Sequence, residues 1–306
     1  ILMLGMLGST GYHEMGTVLA DGANSPLLLL GIGLVVVGLA FKLGAVPAHA
    51  WMPDVAEAAP VPAAAFLLVA PKIGAAIALA RFVDLFPPDA FAIRPLIAVV
   101  AALTMTLGNL AALWQEDVRR LIGWSSVSQS GYALMAIAVV GLTEKSMPAL
   151  LFFLLGYAAA NLSAFAVVAH LRGRTERHHY AGLATSHPWA SAALILSFLS
   201  LVGVPPLAGF VGKLQLFLAT IEGGYAWLAI VAVANTIISL FYYLRVLGPL
   251  YFEKADSRTP QILGSWSSFG MLAGAILVVL FGFAAGTLLA LLEPAALLPS
   301  VASAPS

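Results

Sequence analysis

The chain reads as long apolar stretches separated by short polar or Pro/Gly-rich joints. A helix needs about 20 apolar residues to cross the hydrocarbon of a bilayer. Dividing the chain at its joints yields eight stretches of that order, at 26–48, 60–86, 93–114, 121–142, 147–171, 188–220, 225–252 and 265–292. None alternates with a period of two, which argues against a barrel and leaves helices as the way to satisfy backbone hydrogen bonds in lipid. The expected fold is therefore all-α and polytopic, with about eight transmembrane helices. The residues ahead of the first stretch read as the end of an earlier helix plus a loop.

The sixth stretch is too long for one straight span and carries Gly203, Pro205, Pro206, Gly209 and Gly212 in its middle, which predicts a broken helix. A shorter version of this punctuation, Ala45-Val46-Pro47, occurs in the first stretch and resembles Gly203-Val204-Pro205. Paired interruptions of this kind point to a transporter built from inverted repeats with its site at the breaks, here at Pro47 and at Pro205 and Pro206.

Composition strengthens the membrane reading: 61% of residues are hydrophobic and 9% charged, against about 25% charged in a soluble domain. A formal net charge of zero offers no basic field, so no nucleic-acid partner is expected. The absence of cysteine excludes disulfides, thiolate metal sites and cysteine nucleophiles. No His/Asp/Glu spacing supports a metal and no Ser/His/Asp set is convincing, so neither metal nor cofactor is expected in this chain. The chain opens ILMLGMLGST, with no initiating Met and no basic segment leading into a cleavable signal. That opening is read as an N-terminal truncation.

Charge in alternate loops sets an orientation. Arg119, Arg120, Arg172, Arg174, Arg177, Arg245, Lys254 and Arg258 fall on one side, while only Arg81, Arg94 and Lys145 fall on the other. The positive-inside rule places the first side in the cytoplasm. The last helix then ends outside, with Glu293 and an Ala/Pro/Ser tail.

Of the chain's five lysines, Lys42, Lys72 and Lys213 lie within apolar stretches. A charge near the bilayer centre costs about 2.5 to 3.5 kcal/mol on insertion scales, so such residues usually face a polar interior and mark ion or proton pathways. Each also lies close to a proline: Lys42 before Pro47, Lys72 directly after Pro71, Lys213 after Pro206. A proline frees a backbone carbonyl one turn earlier, and in lipid that carbonyl needs a partner or water. Burial disfavours the charged form of a lysine, so a charge change nearby can make it gain or lose a proton, the chemistry of a relay. All the acids fall in loops or near span ends, leaving these lysines without an evident carboxylate partner. The alternative for each is snorkelling to the headgroups, which is strongest for Lys42, about two turns from the polar Asp54/Glu57 joint.

Secondary candidates surround the lysines. Ser125, Ser126, Ser128, Gln129, Ser130 and Tyr132 make the fourth stretch unusually polar, and Asn235, Thr236, Ser239, Tyr242 and Tyr243 do the same for the seventh. These residues and Asn161 either carry a water path or make interhelical hydrogen bonds, worth about 0.6 to 2 kcal/mol each in membranes. His170, near a span end, is either a headgroup-level residue or a relay. His178 and His179 read as solvated loop residues, and His49 and Trp51 as interfacial anchors.

Three runs carry a family resemblance: FKLGAVPAHAWMPDVAEAAPVPAAAFLLVAPKIG, GNLAALWQEDVRRLIGWSSVSQSGYALM and SLVGVPPLAGFVGKLQLF. Together they resemble the antiporter-like subunits of respiratory complex I, the proton-pumping NADH:quinone oxidoreductase, and most of all the N-type subunit. The resemblance spans nearly the whole chain. It implies a fourteen-helix fold with two inverted five-helix repeats, of which this chain looks like helices seven to fourteen. On that mapping 1–92 is the remainder of the first repeat, 93–258 the second, and 259–306 a terminal helix and tail, all in a single membrane domain.

Lys42 then matches the lysine of the first broken helix, Lys72 the central lysine, and Lys213 the lysine of the second broken helix, facing the exit half-channel. The family's glutamate partner lies on an earlier helix. Two departures stand out: Gln129 occupies the place of a histidine in the relatives' SSISH or SSVSH, and Pro71 precedes the central lysine. The implied function is proton translocation in a bacterial energy-coupling membrane, driven by quinone reduction in other subunits, with neighbouring membrane-arm subunits and lipid as partners. Two rival readings are a subunit of a multisubunit Na⁺/H⁺ antiporter, against which the EAAP segment argues, and a structural scaffold of the membrane arm.

Overall fold

A computed structural model describes residues 1–20, 25–87, 92–171, 175–254 and 264–296. Among them are fourteen α-helices. In chain order these are α1 (Leu2–Leu7), α2 (Tyr12–Ala20), α3 (Pro26–Leu43), α4 (Trp51–Ala58), α5 (Val61–Val83), α6 (Ile93–Ala112) and α7 (Val118–Ala138). There follow α8 (Ser146–His170), α9 (Leu183–Ser186), α10 (Pro188–Val202), α11 (Ala208–Glu222), α12 (Ala226–Phe252), α13 (Ser265–Phe283) and α14 (Ala285–Ala296). By length and composition, six of them are able to cross a membrane: α3, α5, α6, α8, α12 and the stretch Trp266–Phe283 of α13.

The remaining core of the bundle is less apolar for a physical reason. Helix α7 is buried on every side from Ser125 to Ala138, so its serines, glutamine and tyrosine meet other helices and not lipid, where an unsatisfied polar group is costly. It packs tightly against α6. A Cβ on Gly131 would stand 2.6 Å from the Met105 nitrogen, and one on Gly108 2.6 Å from that of Ser128, so two glycines let the backbones approach. Asp117 caps α7 by accepting from the Arg120 amide at 2.9 Å.

The two expected interruptions are both present, with corrected limits. The first apolar stretch stops at Leu43, not at 48, and the chain resumes as the separate short helix α4, which covers the joint around Asp54 and Glu57. The sixth stretch is divided into α10 and α11 by residues 203–207. Each upstream half ends on a glycine in the left-handed region, Gly44 at φ 70° and Gly203 at φ 98°, a conformation that closes a helix and disfavours any side chain. Each break also contains a cis X–Pro bond, Val46–Pro47 and Pro205–Pro206. By contrast α5 continues through Pro71 as one helix. The last stretch divides at Ala284 into α13 and α14, and the N-terminal residues form α1 and α2.

Charged side chains gather at the two ends of the bundle. At one end Arg120 pairs with Asp54 and Glu57, and Glu116 receives both Arg177 and Arg245. At the other end Lys145 pairs with Glu222 at 2.6 Å. Arg94, expected in a sparse loop, is instead buried in the first turn of α6 and donates to the carbonyls of Phe86 at 3.2 Å and Val140 at 2.8 Å. Arg172, Arg174, Arg258 and the Ala/Pro/Ser tail from 297 onward lie outside the described residues.

Candidate functional site

Lys72 and Lys213 are buried in the bundle, 1% and 3% exposed. Lys72 projects from the middle of α5 towards α7, where its ammonium donates to the Ser126 carbonyl at 2.6 Å and to the Ser126 hydroxyl at 2.8 Å. The Tyr157 ring of α8 lies under the same ammonium, 4.8 Å from nitrogen to centroid, and Met52 Sδ of α4 stands at 3.7 Å. The Tyr157 hydroxyl bonds to the Ser126 hydroxyl and, at 2.8 Å, to the Leu68 carbonyl. That carbonyl is one residue beyond Leu67, whose usual helical donor would be the nitrogen of Pro71.

Lys213 repeats this arrangement from the second break. Its ammonium donates at 2.9 Å to the carbonyl of Val202, the last residue of α10, whose amide partner was lost when the helix ended. The face of Tyr132 covers it at 4.2 Å. Gln129 Nε2 donates to the neighbouring Leu201 carbonyl at 3.1 Å, tying α7 to the end of α10. Each lysine is thus held by one helix carbonyl and one tyrosine face, both of which favour an ammonium electrostatically. Among the described residues neither forms an ion pair with a carboxylate.

Beside Lys213 lies a cavity of about 10 Å³, bordered also by Gln129, Phe153, Ser200, Leu201 and the Tyr157 that covers Lys72. That is about the room of one water molecule. On the other side of Lys72, Ser130 Oγ lies within hydrogen-bond distance of the carbonyls of Ser126 and of Leu43, the residue after Lys42. A hydroxyl has one proton, so Ser130 serves one of these carbonyls at a time.

The remaining candidates separate into two groups. Tyr132 donates to the Ala232 carbonyl at 3.1 Å and bonds Thr236 at 2.9 Å; Tyr242 donates to Asn109 at 3.0 Å; Tyr243 bonds Ser125. Asn109 in turn donates to Asn235 at 3.0 Å, so these residues form a polar seam joining α6, α7 and α12. The Ser128 hydroxyl and the Asn161 carbonyl oxygen are buried without a partner among the described residues, while Asn161 Nδ2 donates to the Tyr157 carbonyl at 3.1 Å. His170 is distant from this set, bonding Ser267 at 3.1 Å at the end of α8.

Lys42 departs from the expectation of three buried lysines: it is exposed, near the C-terminal end of α3 on a face this chain leaves open. Of the two residues expected as interfacial anchors, Trp51 donates to the Phe41 carbonyl at 2.9 Å across the first break, and His49 lies in that break with its ring 5.6 Å from Trp124. His178 is exposed and pairs with Glu176 at 3.2 Å. Sequence reasoning missed Tyr157, Phe153, Met52 and Ser200. Tyr157 carried one usable signal, standing four residues before Asn161 on the same face of an otherwise apolar helix.

An all-helical bundle with two interrupted helices, six helices long and apolar enough to cross a membrane, and two lysines buried against helix carbonyls is a polytopic membrane protein of antiporter-like fold. The chain belongs to the NADH:quinone oxidoreductase/Mrp antiporter transmembrane family, whose profile matches residues 1–239. It is 46% identical over 288 residues to NADH-quinone oxidoreductase subunit N of Mycobacterium sp. (strain JLS), covering 93% of this chain and 61% of the relative. A chain of respiratory complex I from Thermus thermophilus with bound aureothin superposes with a TM-score of 0.80 at 32% identity, covering 94% of this chain and 63% of that one. A chain of the Mrp complex from Dietzia sp. DQ12-45-1b shares the fold, with a TM-score of 0.84 at 23% identity and coverages of 96% and 63%. The chain therefore spans about three fifths of the length of the relatives it matches.

Proposed function

We propose that this chain is part of a proton-translocating membrane subunit of an NADH:quinone oxidoreductase, of the N type, working beside other membrane-arm subunits in a bacterial energy-coupling membrane. The observation that carries the reading is the pair Lys72 and Lys213: both buried, both without a carboxylate partner among the described residues, each held by a carbonyl and an aromatic face, with a water-sized cavity bordered by Lys213 and by the Tyr157 that covers Lys72. A lysine relay needs groups that hold a proton without a permanent counter-ion, so that a passing charge decides where the proton rests.

In this scheme a charge change in a neighbouring element acts on Lys42 at the open face of α3. Ser130, shared between the Leu43 and Ser126 carbonyls, couples that end of α3 to Lys72, and the proton passes by water to Lys213. The Arg120 and Glu116 clusters mark the cytoplasmic end of the bundle. No redox step is assigned to this chain; quinone reduction belongs to other subunits.

The test uses the full subunit in an assembled complex reconstituted into vesicles. Lys72→Ala and Lys213→Ala are expected to abolish or strongly reduce NADH-driven proton uptake. Lys213→Arg, which keeps a charge that does not leave at working pH, is expected to fail as well. Intact pumping in all three variants would sink the proposal.

The family also includes Mrp antiporters, and the fold is shared with the Mrp complex. Sodium-dependent proton exchange without NADH-driven pumping in the same vesicles would favour that second reading.

A further inference from the structure

At the arginine-rich end of the bundle, a cavity of about 590 Å³ opens between the first turns of α5 and α13 and the last turns of α8. Its wall is apolar, with Val61 and Phe66 of α5, Leu162, Phe165 and Ala169 of α8, and Trp266 of α13. Ser267 also lines it, but its hydroxyl is engaged with the Gly264 carbonyl at 2.9 Å and with His170 at 3.1 Å. A water inside a protein needs about two to four polar partners, and this wall does not supply them. The space suits apolar matter.

Size and depth narrow the occupant. From Ala169 back to Leu162 is about 10 Å along α8, so the cavity reaches about a third of the way into a hydrocarbon layer of about 30 Å. A transmembrane helix, about 10 Å across and 30 Å long, displaces on the order of 2,400 Å³ and does not fit. A single acyl chain, the thinnest apolar object in a bilayer, does. Trp266 is 87% exposed at the start of α13, the kind of side chain that sits at headgroup depth.

The headgroup end of the cavity carries positive charge without an anion of its own. Arg119 donates to the carbonyls of Ala56, at 2.9 Å, and of Ala59, two residues before Val61. Among the described residues it pairs with no carboxylate. Neither α5 nor α13 has an acidic residue in its first turn or a side-chain cap, so the positive ends of both helices are left unanswered. We propose that this cavity binds an anionic phospholipid, with one acyl chain between α5, α8 and α13 and the phosphate beside Arg119 and the start of α5. On the orientation proposed above, this is the cytoplasmic leaflet, whose anionic lipids are drawn to basic residues at the membrane surface. The inference does not depend on the proton path.

The test uses the full subunit in its assembled complex, reconstituted into vesicles with phosphatidylglycerol or phosphatidylcholine carrying a photoreactive diazirine on the acyl chain. Cross-linked peptides are mapped by mass spectrometry. Phosphatidylglycerol is expected to label 61–66 and 162–169 severalfold more strongly than phosphatidylcholine does, and more strongly than it labels the open face of α12 at Phe241, 59% exposed. Ala166→Phe fills the cavity and should abolish that labelling while α12 keeps its own; Ala169→Phe takes its place if the first variant does not assemble. Arg119→Gln should lose about fivefold of the headgroup preference. Equal labelling by the two lipids, labelling no stronger than at α12, labelling unchanged by the filled cavity, or a preference unchanged without Arg119 overturns the proposal. So does a wild-type complex with no labelling there, which would mean that another polypeptide covers the cavity.

Discussion

At the scale of single residues, the two lysines show how a costly group is kept in an apolar bundle without an ion pair. The carbonyl of Val202 is free because α10 ends there, and the Ser126 carbonyl accepts in addition to its helical role, so the ammonium groups use acceptors already present in the backbone. Ser126 adds a hydroxyl that also meets Tyr157. Ser126→Ala should therefore weaken proton pumping less than Lys72→Ala does, because the carbonyl contact persists; equal loss in both would show that the hydroxyl is indispensable. Tyr157→Phe keeps the ring over Lys72 but removes the hydroxyl donated to Leu68. A lost buried hydrogen bond costs about 0.5 to 1.5 kcal/mol, read as a lower thermal midpoint of the purified complex with pumping retained.

At the scale of elements, the breaks matter more than the helices they divide. The lysines were visible in the sequence because a charge in an apolar run is rare, and the breaks because glycine and proline punctuate it. What was not visible was that α3 stops at Leu43, or that a break orients its last carbonyl towards a lysine on the following half-helix. Gly203 combines both features: it holds φ 98°, and a Cβ there would approach Lys213 Cδ at 3.2 Å. Left-handed backbone costs a non-glycine residue about 1 to 2 kcal/mol. Gly203→Ala is expected to lower thermal stability and also to reduce pumping by crowding Lys213. A stability loss with unchanged pumping would separate the break from the lysine.

At the scale of the whole molecule, the ends of the bundle are tied by charges and its middle by polar contacts between helices. Glu116, in the joint between α6 and α7, receives Arg177 at 2.9 Å and Arg245 at 2.7 Å, binding the loop after α8 and the end of α12 to one carboxylate. The hydrogen bond from Arg177 holds the Glu116 carboxyl below its ordinary value. A depressed acid contributes stability that is present above its unfolded-state value and is lost as pH falls through the folded one. The pair is exposed, so the effect is small. The thermal midpoint should decline on acidification below the ordinary glutamate range, and the Glu116→Gln variant should lack that part of the decline.

The number and rough placement of apolar stretches, the two interruptions and the lysines within them were determined by the sequence alone, because hydrocarbon thickness sets a length and desolvation makes charges conspicuous. Which lysines are enclosed was decided only by tertiary structure. Lys42 and Lys72 look alike in sequence, yet one faces outward and the other meets Ser126, 54 residues away. Helix rotation and packing choose the partner carbonyl and the covering ring, and no local spacing encodes contacts made across such separations.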